Sequence, residues 1–217
     1  MQITKLGHSA LLLDKDGTQL VMDPGTLTPE FELTGRVAAV TITHEHVDHW
    51  SPEHLQRILA SNPDAVIYAP AAVAVAAASH GIDAHLVRPG DTAQAGPFRL
   101  EFLGGRHEVI HSSISPVENV AVRVDRHLVH PGDSYFIPED GLAVELLAAP
   151  AGAPWLKVGE MMDWILALAP RAAFPIHEGT LSDFGLGLHH QRLQWAVEQG
   201  GGSYIPLAVG QTHTLAD

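Results

Sequence analysis

Apolar positions in the first part of the chain fall in short runs separated by turn residues. The runs Gln2–Lys5, Ala10–Asp14 and Gln19–Met22 predict strands, and Asp16-Gly17 predicts a turn between two of them. A longer β-branched run, Val37–Thr43, predicts a buried strand. The chain is therefore expected to begin with a sheet.

Helical patterns follow, and strands then alternate with helices. Pro52–Ser61 predicts a helix with Ser51 as its N-cap. Ala71–Ser79 predicts a second helix, which is apolar on nearly every side and is therefore expected to be mostly buried. Further strands are predicted at Ala65–Ala69, Phe98–Leu103, Asn119–Asp125, Leu128–His130, Ala172–Ile176 and Val209–Leu215, and further helices at Val158–Leu168 and Leu188–Gln199. This order predicts a mixed α and β protein, and because no linker is visible, residues 1–217 are expected to form a single domain.

A cluster of metal-binding residue types comes directly after the strand Val37–Thr43. It reads His44-Glu45-His46-Val47-Asp48-His49. In an extended segment, side chains two residues apart share a face, so His44 and His46 are expected to converge on one metal ion. Asp48 and His49 lie where the chain must turn and are expected to face a second ion.

This His-X-His-X-Asp-His pattern resembles the signature of the metallo-β-lactamase superfamily. The resemblance implies an α+β fold, an αββα four-layer sandwich in which two packed sheets lie between helices. It also implies two divalent metal ions. Because the chain has no cysteine, nitrogen and oxygen atoms must hold these ions. Zinc is the expected metal, and manganese or iron would suit the same donors.

The resemblance implies three further ligands, each after a later strand. A third histidine is expected after Phe98–Leu103, where His107 is preferred because it lies closer to the strand, and His111 is the competitor. Gly132-Asp133-Ser134 resembles the Gly-Asp-Ser/Thr segment of the family, so Asp133 would bridge the two metals. His177 would be the last ligand. The implied set is His44, His46 and His107 around one ion, Asp48, His49 and His177 around the other, and Asp133 between them.

Other residues are weaker candidates for the surroundings of this site. Asp23, in an Asp-Pro-Gly turn, resembles a family residue that braces the motif loop, with an ordinary turn residue as the alternative. His8 either reaches the site or ends the first strand. Arg106 and His111 are candidates for contacting an anionic leaving group. Trp155 either stacks on the substrate or anchors a packed loop.

The charge and composition of the chain indicate which classes of binding partner are expected. The formal net charge is −13, and only 12 of the 217 residues are lysine or arginine. An acidic surface without a basic run disfavours nucleic acid and membrane surfaces, so a small-molecule substrate is expected. No apolar run is long enough for a membrane helix, and the first residues do not resemble a signal peptide, so a cytoplasmic location is expected. The apolar content permits a homo-oligomer.

These features predict a metal-dependent hydrolase that uses a metal-bridged hydroxide on a small ester, lactone or phosphodiester. Asp48 is the catalytic candidate, because it would orient the nucleophile or accept its proton. Three segments resemble those of the L-ascorbate-6-phosphate lactonase-like group. They are Leu6-Gly7-His8-Ser9-Ala10, Val21-Met22-Asp23-Pro24-Gly25 and Pro175-Ile176-His177. The alternatives are a nuclease or RNA-processing enzyme of the same fold, which the acidic charge disfavours, and a non-catalytic metal-binding module.

Overall fold

Two sheets face each other in residues 1–215, the part of the chain that the computed structural model describes. The first sheet has the strand order β14-β1-β2-β3-β4-β5-β6. Its strands are β1 (Gln2–Gly7), β2 (Ala10–Lys15), β3 (Thr18–Met22), β4 (Arg36–Thr41), β5 (Val66–Ala69), β6 (His85–Leu86) and β14 (Thr212–Thr214). The strands β3, β4, β5 and β6 run parallel to one another, so their carboxyl ends lie at the same edge.

The second sheet has the order β13-β12-β11-β10-β9-β8-β7. Its strands are β7 (Thr92–Ala95), β8 (Phe98–Leu103), β9 (Ala121–Val124), β10 (Leu128–His130), β11 (Leu146–Pro150), β12 (Ala172–Ile176) and β13 (Ser203–Tyr204). The strands β10 to β13 are parallel. Because β9 is antiparallel to both β8 and β10, β8 runs in the same direction as β10.

Helices α1 (Pro52–Ser61) and α2 (Ala71–Ala78) pack on the outside of the first sheet, and α3 (Val158–Leu168) and α4 (Asp183–Gln199) pack on the outside of the second. Ser51 caps α1 by accepting a hydrogen bond from the His54 amide. The layers are therefore helix, sheet, sheet, helix, which confirms the α+β sandwich expected from the sequence. Within residues 1–215, no helix combines the length and the hydropathy that a membrane crossing needs.

Strict alternation of side chains explains how wholly apolar strands serve two layers at once. In β2, Leu11 and Leu13 face the space between the sheets, whereas Leu12 faces the helices outside. In β11, Leu146 faces inward and Leu147 outward. Each fully buried leucine contributes about 1.5–3 kcal/mol, so both faces stabilise the fold. This packing fixes the register of the strands that carry the site.

The secondary structure differs from the sequence predictions in several places. The helix α2 is not mostly buried, since Val75 is 75% exposed and only Val73 and Ala77 are buried. Helix α4 begins at Asp183 rather than Leu188, because the Ser182 side chain caps it by accepting from the Gly185 amide. The closing strand is Thr212–Thr214 rather than Val209–Leu215. The strands β6, β7, β11 and β13 were not predicted, although β11 pairs in parallel on both sides with β10 and β12.

Candidate metal centre

The predicted ligands come together where the carboxyl ends of strands from both sheets meet. The motif loop follows β4, His107 follows β8, Asp133 follows β10 and His177 follows β12. The donor atoms form two groups of four among the described residues, and within each group all of them lie within 4.8 Å of one another. One group is His44, His46, His107 and Asp133, and the other is His8, Asp48, His49 and His177.

Asp133 lies between the two groups. Its Oδ1 is 3.0 Å from His49 Nε2, and its Oδ2 is 3.1 Å from His177 Nε2 and 3.4 Å from His107 Nε2. One carboxylate therefore contacts histidines of both groups, which is the position expected for a bridging ligand.

In three of these histidines, the ring nitrogen that faces away from the centre has a hydrogen-bond partner. His49 Nδ1 lies 2.7 Å from Asp23 Oδ2, His107 Nδ1 lies 2.6 Å from the Glu108 carbonyl oxygen, and His177 Nδ1 lies 2.5 Å from the Gly152 carbonyl oxygen. Each acceptor requires a proton on Nδ1, so in the neutral imidazole each Nε2 presents a lone pair toward the centre.

The inward-facing atoms fit a divalent cation. The Nε2 atoms of His49, His107 and His177, and Oδ1 of Asp133, are buried and have no hydrogen-bond partner. Lone pairs of a buried imidazole and a buried carboxylate about 3 Å apart repel each other unless a positive charge lies between them. The donors are all nitrogen or oxygen, which suits zinc, manganese or iron.

The charges of the cluster also favour a cation. Burial lowers the pKa of His177, but the Asp133 and Asp48 carboxylates together outweigh burial and raise this pKa to about 9. Burial likewise opposes protonation of His49, yet Asp133 and Asp23 raise its pKa well above the ordinary value. Burial raises the pKa of Asp48, but the neighbouring His177, His8 and His49 together outweigh burial and hold this pKa below the usual range. The carboxylates thus create a field that attracts protons or metal ions.

Asp23 braces the motif loop from behind. Its Oδ1 accepts from the Thr43 amide at 2.8 Å, and its Oδ2 accepts from the Thr43 hydroxyl at 2.6 Å and from His49 Nδ1. Asp23 is fully buried. The following Gly25 lies so close to the motif loop that a Cβ there would be 1.9 Å from the Asp48 carbonyl oxygen. The Asp-Pro-Gly turn therefore sets the position of both Asp48 and His49.

Three non-glycine residues at the site have left-handed backbone conformations, namely His8 (φ 47°), Asp23 (φ 45°) and His177 (φ 60°). This conformation costs a non-glycine residue about 1–2 kcal/mol. Backbone hydrogen bonds hold two of them in place, since the His177 amide donates to the His8 carbonyl and the Asp23 amide donates to the Thr41 carbonyl, both at 2.9 Å. This conformation places the His8 and His177 side chains in the second donor group and the Asp23 side chain behind the motif loop.

The position of Asp133 depends on a residue that the sequence did not single out. Asn119 is buried; its Oδ1 accepts from the Asp133 amide at 3.0 Å, and its Nδ2 donates to the Pro131 carbonyl at 2.9 Å. Trp155 is also buried, and its indole N–H donates to Asp133 Oδ2 at 2.7 Å. Trp155 therefore supports the carboxylate and is not placed as a stacking wall for substrate.

Of the remaining residues that the sequence suggested for the site, some lie at the donor groups and others are exposed away from them. His107 is buried in the first donor group, whereas His111 is exposed and its Nδ1 lies 2.8 Å from the Ser113 hydroxyl. Arg106 is also exposed and belongs to neither group. His8 reaches the site: its Nδ1 accepts from the Gly179 amide at 3.0 Å, and its Nε2 lies 3.2 Å from Asp48 Oδ2.

Comparisons with known proteins agree with this architecture. Residues 2–177 match a family model described as the beta-lactamase superfamily domain. The chain is 38% identical over 198 residues to Protein Rv0786c of Mycobacterium tuberculosis, an alignment that covers 89% of this chain and 91% of that protein. Among solved structures it resembles Igni18, a metallo hydrolase from Ignicoccus hospitalis, with a TM-score of 0.75, 19% identity and coverage of 100% and 98%. It also resembles CmlA, a diiron β-hydroxylase from Streptomyces venezuelae, with a TM-score of 0.76, 16% identity and coverage of 99% of this chain and 54% of that protein. The chain therefore belongs to the metallo-β-lactamase superfamily.

Proposed function

We propose that this protein is a dinuclear metal-dependent hydrolase of a small ester, lactone or phosphodiester. The observation that carries the proposal is the pair of donor groups that share the Asp133 carboxylate, with inward-facing lone pairs on His49, His107 and His177. The structural likeness to Igni18, described as a metallo hydrolase, supports the same class of function. The net charge of −13 favours a small molecule over nucleic acid as the substrate.

Some residues of the chain would hold the site, and another would orient the attacking water. When bound, divalent ions at the two donor groups would lower the pKa of a water molecule and polarise the carbonyl or phosphoryl oxygen of the substrate. Asp133 is only 4% exposed at its side chain and is held on several sides, so it serves to fix the geometry. Asp48 is 26% exposed at its side chain and can therefore reach an attacking water. Because its pKa lies below the usual range, this carboxylate is suited to orienting the water rather than to holding its proton.

His8 orients Asp48. Because its Nδ1 accepts the Gly179 amide proton, the neutral ring must carry its own proton on Nε2, which faces Asp48 Oδ2. Donation from Nε2–H fixes the carboxylate and leaves its other oxygen free. His8 is thus assigned a positioning role rather than that of an additional metal ligand, although it belongs geometrically to the second donor group.

Hydrolysis by the reloaded protein tests the proposal. Protein stripped with a chelator is reloaded with zinc, manganese or iron, and is assayed against p-nitrophenyl acetate, a γ-lactone and bis(p-nitrophenyl) phosphate. We expect activity on at least one substrate that the chelator removes and metal restores. His46→Ala should lose this activity, and His111→Ala, an exposed histidine outside both groups, is the matched control. No metal-dependent turnover on any substrate, or equal activity in His46→Ala, would overturn the proposal.

A further inference from the structure

A cavity of about 560 Å³ lies beside the second donor group. His8 lines this cavity with its ring and contacts Asp48 with Nε2, so one side chain joins the two spaces. Gly179, two residues after His177, also lines it. The volume falls in the range of about 300–1,000 Å³ that is usual for small-molecule sites.

The walls of the cavity are mostly apolar. They are formed by side chains that come from the loop after β3, from the start of α4 and from the segment before β14, namely Leu27, Pro29, Leu181, Leu186, Leu207 and Val209. None of the residues that line it is an arginine. The surface that a substrate would meet there is therefore suited to hydrocarbon.

The charged groups in the cavity neutralise one another. Lys5 is buried, and its ammonium group donates to Glu178 Oε2 and, at 3.2 Å, to the Leu207 carbonyl. The second oxygen of Glu178 accepts from His190 Nε2. A phosphate or carboxylate entering this space would meet a cation that is already paired and a nearby anion, so a charged substituent would be desolvated without a partner.

We propose that this cavity binds the uncharged alkyl or acyl arm of a lactone or ester whose reacting carbonyl lies at the metal centre. The inference rests on the proposed hydrolase function and narrows its substrate class. It favours a neutral, apolar substrate over a sugar phosphate, and over a phosphodiester with a charged arm.

Chain-length dependence tests the inference. The metal-loaded protein is assayed with p-nitrophenyl acetate, butanoate and hexanoate, and with the p-nitrophenyl monoester of adipic acid, which carries a carboxylate at the far end of a six-carbon arm. Each methylene that is fully removed from water contributes up to about fourfold. We expect kcat/KM to rise at least tenfold from acetate to hexanoate after correction for uncatalysed rates, and to fall for the adipate. Equal values along the series, or a preference for the adipate, would overturn the inference while leaving hydrolysis itself established.

Variants that fill the cavity test whether the apolar arm of the substrate binds there. Leu186→Trp fills the cavity from α4 and should reduce the hexanoate-to-acetate ratio to about one, because burial of the arm is lost. Val209→Trp fills it from another wall at a position that is 54% exposed, so it offers a second test if the first variant folds poorly. Leu188→Trp is the matched control, because Leu188 is 42% exposed on the same helix and does not line the cavity. An unchanged ratio in both filling variants would overturn the assignment.

A binding measurement separates the two proposals. N-methylhexanamide and N-methylacetamide differ in the same acyl arm as the esters and cannot be cleaved readily, so ligand-observed NMR reports their binding to the metal-loaded protein directly. Tighter binding of the hexanamide that is lost in Leu186→Trp would support the cavity assignment even if no ester were hydrolysed, in which case only the proposed function fails. Equal binding of the two amides would overturn the cavity assignment.

Discussion

One methyl group added at Gly25 tests how the motif loop is positioned. A Cβ there would lie 1.9 Å from the carbonyl oxygen of Asp48, 2.0 Å from its carbonyl carbon and 2.5 Å from the amide nitrogen of His49. All three are backbone atoms, so no rotamer change relieves the clash. Gly25→Ala must therefore displace the backbone that carries Asp48 and His49, which are two of the four ligands predicted in this loop.

These distances indicate how much stability and metal affinity Gly25→Ala should lose. Favourable contacts of carbon atoms lie at about 3.5–4.0 Å, so the backbone at Asp48 must move by roughly 1–2 Å. Overpacking of this kind lowers the free energy of unfolding by about 1–3 kcal/mol. Disturbing the support of metal ligands typically weakens metal affinity by about 10–100-fold. Both effects are expected together in Gly25→Ala, because the same contact serves folding and the site.

Urea unfolding of the metal-free protein and competition with a chromophoric zinc chelator measure the two quantities. Gly187→Ala is the control, because it lies inside α4 with no atom within 4 Å of the added Cβ. Alanine in a helix is more favourable than glycine, so the control should be more stable by about 0.5–1 kcal/mol with unchanged zinc affinity. The reasoning is refuted if Gly25→Ala unfolds at the wild-type urea concentration and binds zinc with wild-type affinity.

The choice of third histidine, the Trp155 hydrogen bond and the protonation of the cluster each give a separate test. His107→Ala should lose one equivalent of metal by elemental analysis while His111→Ala keeps both, and equal metal content in the two variants would contradict the choice of His107. Trp155→Phe removes a hydrogen bond to a buried carboxylate and should lower the free energy of unfolding by about 1.5–3 kcal/mol in urea, whereas Trp195→Phe on an exposed helix face should change it by less than about 0.5 kcal/mol. In metal-free protein the pKa of His177 is about 9, against about 6.5 in an unfolded chain, so its contribution to stability is fully present below pH 6.5 and is lost as the pH rises toward 9. A urea midpoint that rises over that window would contradict this sign.

The ligand-rich loop is readable from the sequence because its four side chains lie within the six residues from His44 to His49. Asp133 and His177 are readable for a different reason, since His177 directly follows the strand β12 and Asp133 lies three residues after the end of β10. Such residues reach the same edge as soon as the strands run in the same direction. Local pattern and topology together therefore indicate most of the donor set.

The sequence prefers His107 to His111 only because His107 lies closer to the strand, whereas the contact that brings its loop to the centre depends on tertiary structure. The loop after β8 is pulled toward the centre by the Glu108 amide, which donates to the Asp133 carbonyl at 2.9 Å. This contact joins two residues that are 25 positions apart in the sequence, so no local sequence pattern predicts it. The same holds for Asn119, whose amide holds the Asp133 loop from the preceding strand region.

Lys5, Glu178 and His190 show the limit of sequence patterns most clearly. They come from β1, from the loop after β12 and from α4, and they meet only because β1 and α4 border the same cavity. A lysine in a short strand normally reads as a solvent-facing residue, yet Lys5 is 1% exposed. Its burial is possible because Glu178 balances its charge. Pairing of this kind depends on the packed fold rather than on local spacing.

Anomalous X-ray scattering from crystals of the zinc-loaded protein tests the two-ion centre most directly. Two peaks are predicted for each chain, one coordinated by His44, His46 and His107 and the other by Asp48, His49 and His177, with Asp133 contacting both. A single peak, or peaks bound elsewhere while these donors stay unligated, would contradict the dinuclear centre on which the proposed function depends.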